Sequence, residues 1–247
     1  MRNQLTLTLT VAACALLIGC SSSNESKKKA EETQAPAAAA PTPETPKASE
    51  PTAAPTPPAP EPKKTVSAGL PEKAPDVFKV NLDTSKGPVV MECHKAWAPR
   101  GVEHFYDLVK IHFFDDVRFF RVIRGFMAQF GMNGTPATNA TWAAANILDD
   151  PPTGHHNTRG MVSYGQTGMP NSRSTQLFIN FGDNSQLDAQ GFPPVCEVTS
   201  GMEAVDQFYS GYGEAPNQGL IGAQGNAYLN SQFPRLDYIK KATIVLQ

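Results

Sequence analysis

The first third of the chain contains no aromatic residue: all thirteen Phe, all six Tyr and both Trp of its 247 residues lie at or after Phe78. A segment without large apolar side chains cannot bury a core. An excess of one charge is also missing, because 21 basic and 23 acidic residues leave a formal net charge of -2. Nucleic-acid-binding proteins usually show a basic stripe, so no nucleic-acid partner is expected. Outside the N-terminus, no apolar run reaches the roughly 18–20 residues of a membrane-spanning helix.

Residues 1–19 have the pattern of a targeting signal. Arg2 supplies positive charge, and the apolar stretch Leu5–Ile18 ends at Gly19. The segment 17–20 resembles the lipobox of bacterial lipoprotein precursors, which implies cleavage before Cys20 and acylation of that residue. Two or three acyl chains would anchor the protein stably to a lipid bilayer. The alternative is an ordinary secretory signal with a chance cysteine. Ser21 resembles the outer-membrane sorting pattern, so we expect an outer-membrane location that faces the periplasm.

Residues 20–75 are predicted to form a disordered linker behind the lipidated cysteine. Twelve of the 22 prolines fall between Ala30 and Pro75, among Ala, Thr and Glu. Such a composition buries too little apolar surface to offset its ordering entropy. At roughly 3 Å per residue, the linker would reach on the order of 150 Å at most. A compact domain is predicted over residues 76–247.

Cysteine usage leaves two thiols in that domain. Cys14 would leave with the signal and Cys20 would carry lipid, so Cys93 and Cys196 remain. In an oxidising compartment two such thiols can form a disulfide. The alternative is two separately buried cysteines that act as small apolar residues. Both interpretations stay open at this level.

The domain begins with the pattern of a β-hairpin. Residues 77–82 alternate apolar and polar side chains, a turn follows, and Pro88–Cys93 reads as the second strand. Pro99 can begin a helix that carries Val102, Phe105 and Val109 on one face, and a second helix is predicted to begin near Thr199-Ser200. Further short strands are predicted at 118–123, 126–130, 161–164, 176–180, 195–198 and about 238–246. Residues 133–158 and 210–234 are predicted to be long loops. Many short strands and few helices predict a β-barrel capped by two helices.

The run of residues 119–131 carries the clearest chemistry. It sets an arginine and a glutamine among aromatic and thioether side chains, across Gly125. It contains no serine, cysteine or carboxylate, so it offers no nucleophile. Such a cleft suits a reaction that breaks no bond, and rotation about the peptide bond before proline is one such reaction.

This run resembles the active-site strand pair of cyclophilin-type peptidyl-prolyl isomerases. The similarity continues through several ordered segments, namely 99–108, 159–164, 174–180, 187–188, 195–198 and 201–203. It covers essentially everything from Val77 to Leu246. The resemblance implies an eight-stranded antiparallel barrel with two capping helices, no cofactor and no metal. It implies a peptidyl-prolyl isomerase that acts on proline-containing polypeptides, here exported proteins.

The resemblance also assigns roles to residues. Arg121 matches the catalytic arginine, and Gln129 matches the glutamine that orients it and binds substrate backbone. Gln176 matches a second pocket glutamine. The apolar walls that receive the proline ring are matched by Phe126, Met127, Phe178 and Leu187.

The chain departs from the family pattern at several places. Gly165-Gln166 stands where many members have Ala-Asn, a pair that binds substrate backbone, and both residues are still predicted to bind substrate. Phe192 stands where histidine or tyrosine is common, and it is predicted to pack on substrate without their polar tip. Gln186 stands where eukaryotic relatives often have a tryptophan that contacts cyclosporin, so weak cyclosporin binding is expected. Residues 195–198 read Val-Cys-Glu-Val instead of Phe-Gly-Lys-Val. Arg124 replaces a frequent proline and is predicted to face solvent.

Weaker candidates and rival functions remain. His155-His156 beside Asp149-Asp150 could suggest a metal, but no ligand spacing recurs, and a solvated loop is the preferred interpretation. A non-catalytic proline-peptide-binding or holdase lipoprotein is the first alternative function, and a purely structural lipoprotein is the second. We expect a monomer.

Overall fold

The computed structural model of the chain describes residues 72–245, with the side chain of Ala143 excepted. The predicted signal peptide, the lipidation site Cys20 and the linker up to residue 71 lie outside the described residues. Residues 72–75 already contact the domain, because the Ala74 amide donates to Glu103 Oε1 at 3.0 Å and Lys110 Nζ donates to the Glu72 carbonyl at 3.0 Å.

Strands dominate the described part of the chain. The nine strands are β1 (Val77–Thr84), β2 (Gly87–His94), β3 (Val117–Arg118), β4 (Arg121–Ile123), β5 (Met127–Phe130), β6 (Met161–Tyr164), β7 (Leu177–Asn180), β8 (Pro194–Ser200) and β9 (Tyr238–Val245). The helices are α1 (Pro99–Lys110), α2 (Pro136–Ala143), α3 (Met202–Val205), α4 (Gln218–Gln224) and α5 (Asn226–Gln232), with a 3-10 helix at Ser185–Gln190. None of the helices in residues 72–245 is both long and apolar enough to cross a membrane.

The strands form one sheet whose order is β3-β9-β1-β2-β8-β6-β7-β5-β4, with antiparallel pairing throughout. The terminal strands β3 and β4 are separated in the chain only by Phe119 and Phe120, so the two ends of the sheet must meet. The predicted mainly-β antiparallel barrel class is therefore confirmed. The strand count differs, because the predicted strand at 118–123 is interrupted where Phe119 and Phe120 are both buried, in two different apolar clusters.

Local sequence explains the first elements. In β1 the side chains of Phe78, Val80 and Leu82 are fully buried, as the alternation predicts. Helix α1 has Pro99 in its first turn and buries Val102, Phe105 and Val109. The free amides of its first turn are bound by a residue from another part of the chain, because Arg100 N and Gly101 N donate to the Asp150 carboxylate at 2.9 and 2.8 Å.

Two predictions about helices need correction. The second helix is present but begins at Met202, two residues after the predicted start, because β8 continues to Ser200 and Gly201 turns the chain at a φ of 92°. Only one helical turn follows, at Met202–Val205. Residues 133–158 and 210–234 are not merely loops, since the first contains α2 and the second contains α4 and α5. These last two helices pack over a small apolar cluster that contains Phe120, Met132, Ile221, Leu229 and Leu236.

The structure also decides whether the two cysteines are bonded, and it corrects the prediction of a solvated loop around residues 149–156. Cys93 and Cys196 are joined by a disulfide between β2 and β8, where the two residues are register partners. The Asp149-Asp150 and His155-His156 segment is not a simple solvated loop. Asp150 is buried against Arg173, whose Nη1 lies 3.1 Å from its carboxylate, and the His155 ring stacks on Trp97 with centroids 4.2 Å apart.

Candidate active site

The hairpin of β4 and β5 places the two polar side chains of the central motif side by side. Arg121 and Gln129 are register partners across the antiparallel pair, so both side chains stand on the same face of the sheet. Gly125 makes the turn between the strands at a φ of 74°, a conformation that favours glycine. Arg121 Nη1 lies 3.4 Å from Gln129 Oε1 and 3.7 Å from Met127 Sδ.

A chain of amide groups continues from the arginine across the cleft. Gln129 Nε2 donates to Gln176 Oε1 at 2.8 Å, and Gln176 Nε2 donates to Gln218 Oε1 at 3.2 Å. The backbone of Gln176 is fixed as well, because its carbonyl accepts from the Gly165 amide at 2.9 Å. These bonds leave the guanidinium held in a fixed orientation beside donors and acceptors that can meet a peptide backbone.

An apolar pocket lies beside this polar chain. Met127, Phe178 and Leu187 form a separate buried cluster, with Phe126 and Phe192 packed against it. The rings of Phe178 and Phe192 meet edge to face with centroids 5.9 Å apart. Such a pocket accepts a compact apolar ring, and its walls lie directly next to the guanidinium, which stands 5.8 Å from the centre of the Phe126 ring.

The wall that carries Leu187 is held by a polar network. Asn157 Nδ2 donates to Asp188 Oδ1 at 2.7 Å and to the Phe192 carbonyl at 2.7 Å. Asn184 Nδ2 donates to the Phe126 carbonyl at 2.8 Å, which ties the start of the 3-10 helix to the β4–β5 turn. Burial acts to raise the pKa of Asp188, but hydrogen bonds from Asn157 and His156 outweigh it and hold that pKa below its usual range.

All ten residues that the sequence assigned to catalysis or substrate binding line one cleft of about 700 Å³. They are Arg121, Phe126, Met127, Gln129, Gly165, Gln166, Gln176, Phe178, Leu187 and Phe192. Gln166 turns its amide toward the rim, where Nε2 donates to the Gln190 carbonyl at 3.0 Å. Among the described residues that line the cleft, Arg121 alone carries a charge, and the carboxylate that it contacts belongs to Glu214, outside this lining.

Sequence reasoning missed two residues that reach this site from the segment 210–234. Gln218 on α4 ends the amide chain, and Glu214 contacts the arginine that the sequence predicts to be catalytic. Arg121 Nε donates to Glu214 Oε1 at 2.6 Å, and Nη2 forms an ion pair with the same oxygen. No local pattern marked either residue, because this glycine-rich stretch has too few apolar residues to show the periodicity of a helix or a strand. Arg124 is exposed as predicted, yet it also binds this segment, with its Nε donating to Ser210 Oγ at 3.1 Å.

The arrangement suits non-covalent chemistry. A fixed cation, a chain of amides and an apolar pocket can hold an extended peptide, seat a ring and donate a hydrogen bond to an atom of the backbone. The lining offers no carboxylate or thiol for attack or for proton transfer.

Comparisons with known proteins agree with this geometry. The family model described as cyclophilin type peptidyl-prolyl cis-trans isomerase/CLD matches residues 79–220. The chain is 29% identical to peptidyl-prolyl cis-trans isomerase B of Escherichia coli over 173 residues, which cover 67% of this chain and 98% of that protein. It is 34% identical to a peptidyl-prolyl cis-trans isomerase of Streptomyces antibioticus over 134 residues, which cover 51% of this chain and 80% of that protein.

A solved structure shares the fold. The crystal structure of a cyclophilin type peptidyl-prolyl cis-trans isomerase from Cryptosporidium parvum matches with a TM-score of 0.52 and 18% identity, covering 69% of this chain and 99% of that one. At this identity the match supports the barrel architecture alone.

Proposed function

The chain belongs to the cyclophilin family of peptidyl-prolyl cis-trans isomerases, and on that premise we propose that it accelerates rotation of Xaa-Pro bonds in exported proteins while anchored to a membrane through acylated Cys20. The observation that carries the catalytic part is the position of Arg121 beside both Gln129 and the apolar pocket of Met127, Phe178 and Leu187.

The reaction needs little covalent chemistry. Rotation about an amide costs roughly 18–20 kcal/mol because conjugation is lost, and the twisted proline nitrogen regains a lone pair. The Arg121 guanidinium can donate to that lone pair only while the bond is twisted. An interaction that exists only in the transition state lowers the barrier in both directions. Arginine suits this role because it is permanently charged and its donors have a rigid geometry.

The pocket supplies position rather than rate. A proline ring that leaves water for the cluster of Met127, Phe178 and Leu187 gains about 1–3 kcal/mol of binding free energy. That gain is the same for planar and twisted amides, so it places the bond near Arg121 without lowering the barrier. The amides of Gln129 and Gln176 bind the flanking backbone.

Glu214 adds a feature of its own to this cleft. Its carboxylate is 64% exposed and pairs with the Nε and Nη2 side of Arg121. A substrate that draws the guanidinium toward the proline nitrogen must share it with this carboxylate. Glu214 is therefore a positioning residue. It slows the reaction if the ion pair with Arg121 must break in the transition state, and it speeds the reaction if the ion pair persists and orients the guanidinium.

The exported setting has three supports. The segment 17–20 resembles a lipobox, the Pro- and Ala-rich residues that follow would give reach, and the Cys93–Cys196 disulfide suits an oxidising compartment. An outer-membrane protein that faces the periplasm, acting as a monomer, fits these features.

Metabolic labelling tests the anchor. Expressed in a Gram-negative host with labelled palmitate, the wild-type chain should incorporate label and sediment with outer membranes. A Cys20→Ala variant should lose both properties, whereas Cys14→Ala should keep them. Label in the Cys20→Ala variant would contradict the proposal, and an unlabelled wild type would indicate an ordinary secretory signal.

A second experiment separates catalysis from the holdase alternative. Exchange spectroscopy by NMR on an Xaa-Pro peptide measures both the cis-trans exchange rate and the binding of the peptide. The isomerase predicts exchange far above the uncatalysed rate, whose time constant is tens to hundreds of seconds. Binding without faster exchange would favour the non-catalytic module.

A further inference from the structure

The sheet brings three potential metal ligands together on one face, away from the elements that build the cleft. Glu92 and His94 are two residues apart on β2, so their side chains leave the same face of the sheet. Glu197 on β8 is the register partner of Glu92. Cys93, which lies between the first two residues, points the other way and forms the disulfide. The sequence does not reveal this group, because its members lie on two strands that are far apart in the chain.

Distances within the group suit a small cation. His94 Nε2 lies 3.3 Å from Glu92 Oε1 and 3.9 Å from Glu197 Oε1. One ligand atom from each residue lies within 4.8 Å of the others. A divalent metal with bonds of about 2.0–2.2 Å separates its neighbouring ligand atoms by about 3–3.5 Å, so small rotations of the carboxylates would close the site.

The imidazole is held with one nitrogen directed into the group. The His94 ring stacks on Trp97 with centroids 4.0 Å apart and planes 17° apart, and Trp97 in turn stacks on His155. His94 Nε2 is buried and has no hydrogen-bond partner in the described part of the chain. A buried ring nitrogen that makes no hydrogen bond is costly, and a metal ion shared with Glu92 would satisfy it.

The charges also call for a cation. Like charges directly opposite each other on paired strands are destabilising, and Glu92 and Glu197 stand in that relation. Lys79 offsets part of this repulsion, with its Nζ 3.5 Å from Glu92 Oε2. It contacts the other oxygen of Glu92, so Oε1 still faces His94 and Glu197.

We propose that Glu92, His94 and Glu197 bind a divalent transition-metal cation, for which zinc is the representative. One imidazole nitrogen and two carboxylate oxygens suit Zn²⁺ better than Mg²⁺ or Ca²⁺, which prefer all-oxygen sites. Water would complete the coordination on the exposed side. The cation ties β2 to β8 on the face opposite the Cys93–Cys196 disulfide, and it stabilises the folded domain because the unfolded chain does not hold the three ligands together.

Calorimetric titration of the full-length chain in detergent with zinc chloride tests the site. We expect one zinc bound per chain and a melting temperature that rises with zinc, returns with EDTA and ignores magnesium. His94→Ala and Glu197→Gln should each weaken zinc binding at least tenfold, since ligand loss exceeds the 10–100-fold effect of losing a supporting hydrogen bond.

His112 provides a matched control, because it lies 3.4 Å from the single carboxylate of Asp115 instead of facing two carboxylates. The backbone of His112 has a φ of 61°, a conformation that asparagine tolerates, so His112→Asn is the suitable variant. This variant should bind zinc as the wild type does. Cleavage before Cys20 and acylation of that residue would leave neither Cys14 nor Cys20 as a competing thiol in the purified chain.

Trp97 gives a local readout. Cu²⁺ should quench its fluorescence in the wild type through the stacked His94 ring, and the quenching should disappear in Trp97→Phe and in His94→Ala. Zinc binding of equal strength in His94→Ala, or no stoichiometric binding by the wild type, would overturn the proposal.

Discussion

The two walls of the cleft are built differently. The sheet wall, formed by Arg121, Met127, Gln129 and Phe178, lies on the paired strands β4, β5 and β7, and Met127 and Phe178 are only 1% and 5% exposed. The loop wall, formed by residues 165–169, Leu187, Phe192 and Gln218, reaches the surface, where Met169 is 71% exposed. The predicted catalytic residues lie on the sheet wall, and the residues that differ from the family pattern lie on the loop wall.

The largest effect should follow from removing the guanidinium of the sheet wall. Arg121→Ala should lower kcat/KM by about 10²–10³-fold, the usual loss when one preorganised transition-state donor is removed. Peptide binding should change little, because the apolar pocket remains. A protease-coupled assay on an Xaa-Pro peptide measures the loss.

Two matched variants define that result. Arg121→Lys keeps the charge without the rigid fork and should fall between the wild type and alanine. Arg124→Ala removes an arginine from the same hairpin and should retain activity within about threefold, a change of under about 0.7 kcal/mol in the barrier. Full turnover in Arg121→Ala would refute the mechanism.

The stability of the sheet can be lowered at a position away from the cleft, namely the disulfide. Replacing Cys93 and Cys196 by serine should cost about 2–4 kcal/mol of unfolding free energy, since the disulfide closes a long loop. Urea denaturation measures the loss. Activity of the remaining folded protein at low temperature should be unchanged, and a fall in kcat there would mean that the disulfide also shapes the sheet wall.

The contribution of the loop wall to the stability of the folded domain should depend on pH through the carboxyl group of Asp188. Its folded pKa lies below the unfolded value of about 3.9, so its stabilising contribution is present above that value and is lost as pH falls through the folded pKa. Asp188→Asn should cost about 1–3 kcal/mol at neutral pH, where hydrogen bonds to a charged acceptor are lost.

Thermal melting of both proteins across the acid range measures this contribution. The gap between wild type and Asp188→Asn should narrow once pH falls below about 3.9, because the wild-type carboxyl is then protonated. A gap that stays constant through that range would show that shape, rather than charge, holds the 3-10 helix.

The smallest effect should come from Glu214. If its ion pair with Arg121 is lost in the transition state, Glu214→Gln should raise kcat/KM by up to about fivefold, the upper range for an exposed pair. Salt should bring the wild type toward the variant. A fall in kcat/KM would instead show that Glu214 orients the guanidinium during rotation.

The strands and the turn of the sheet wall could be predicted because their signals are local, whereas only the family resemblance assigned Met127 and Phe178 to the cleft rather than to the core. Alternation marks the strands, Gly125 marks the turn, and Arg121 and Gln129 stand in one short motif whose hairpin pairing makes them neighbours. The same reasoning predicted the barrel class, though it merged β3 and β4 into one strand because two consecutive buried phenylalanines look continuous in sequence.

On the loop wall, Gly165, Gln166, Leu187 and Phe192 were predicted from the family resemblance and do line the cleft. Gln218, and Glu214 beside it, could not be predicted because their positions depend on contacts between distant parts of the chain. Helix α4 contains Gly219 and Gly222, and Gly225 separates it from α5, so Ile221 and Leu229 share a cluster without sharing one helical period. The amides at the N-terminus of α1 are bound by Asp150. This residue lies far along the chain from the helix start, so no local capping pattern could reveal the contact. Glu214 became visible only when the fold brought it to Arg121.

The disulfide has a topological consequence for the cleft. Cys93 and Cys196 enclose one covalent ring of chain, and all ten predicted site residues, from Arg121 to Phe192, belong to that ring. A single proteolytic cut anywhere within it leaves both fragments joined. After one such cut the strands that carry the ten residues would stay in one molecule, whereas Glu214 and Gln218 lie beyond the ring, where a cut could sever them from it.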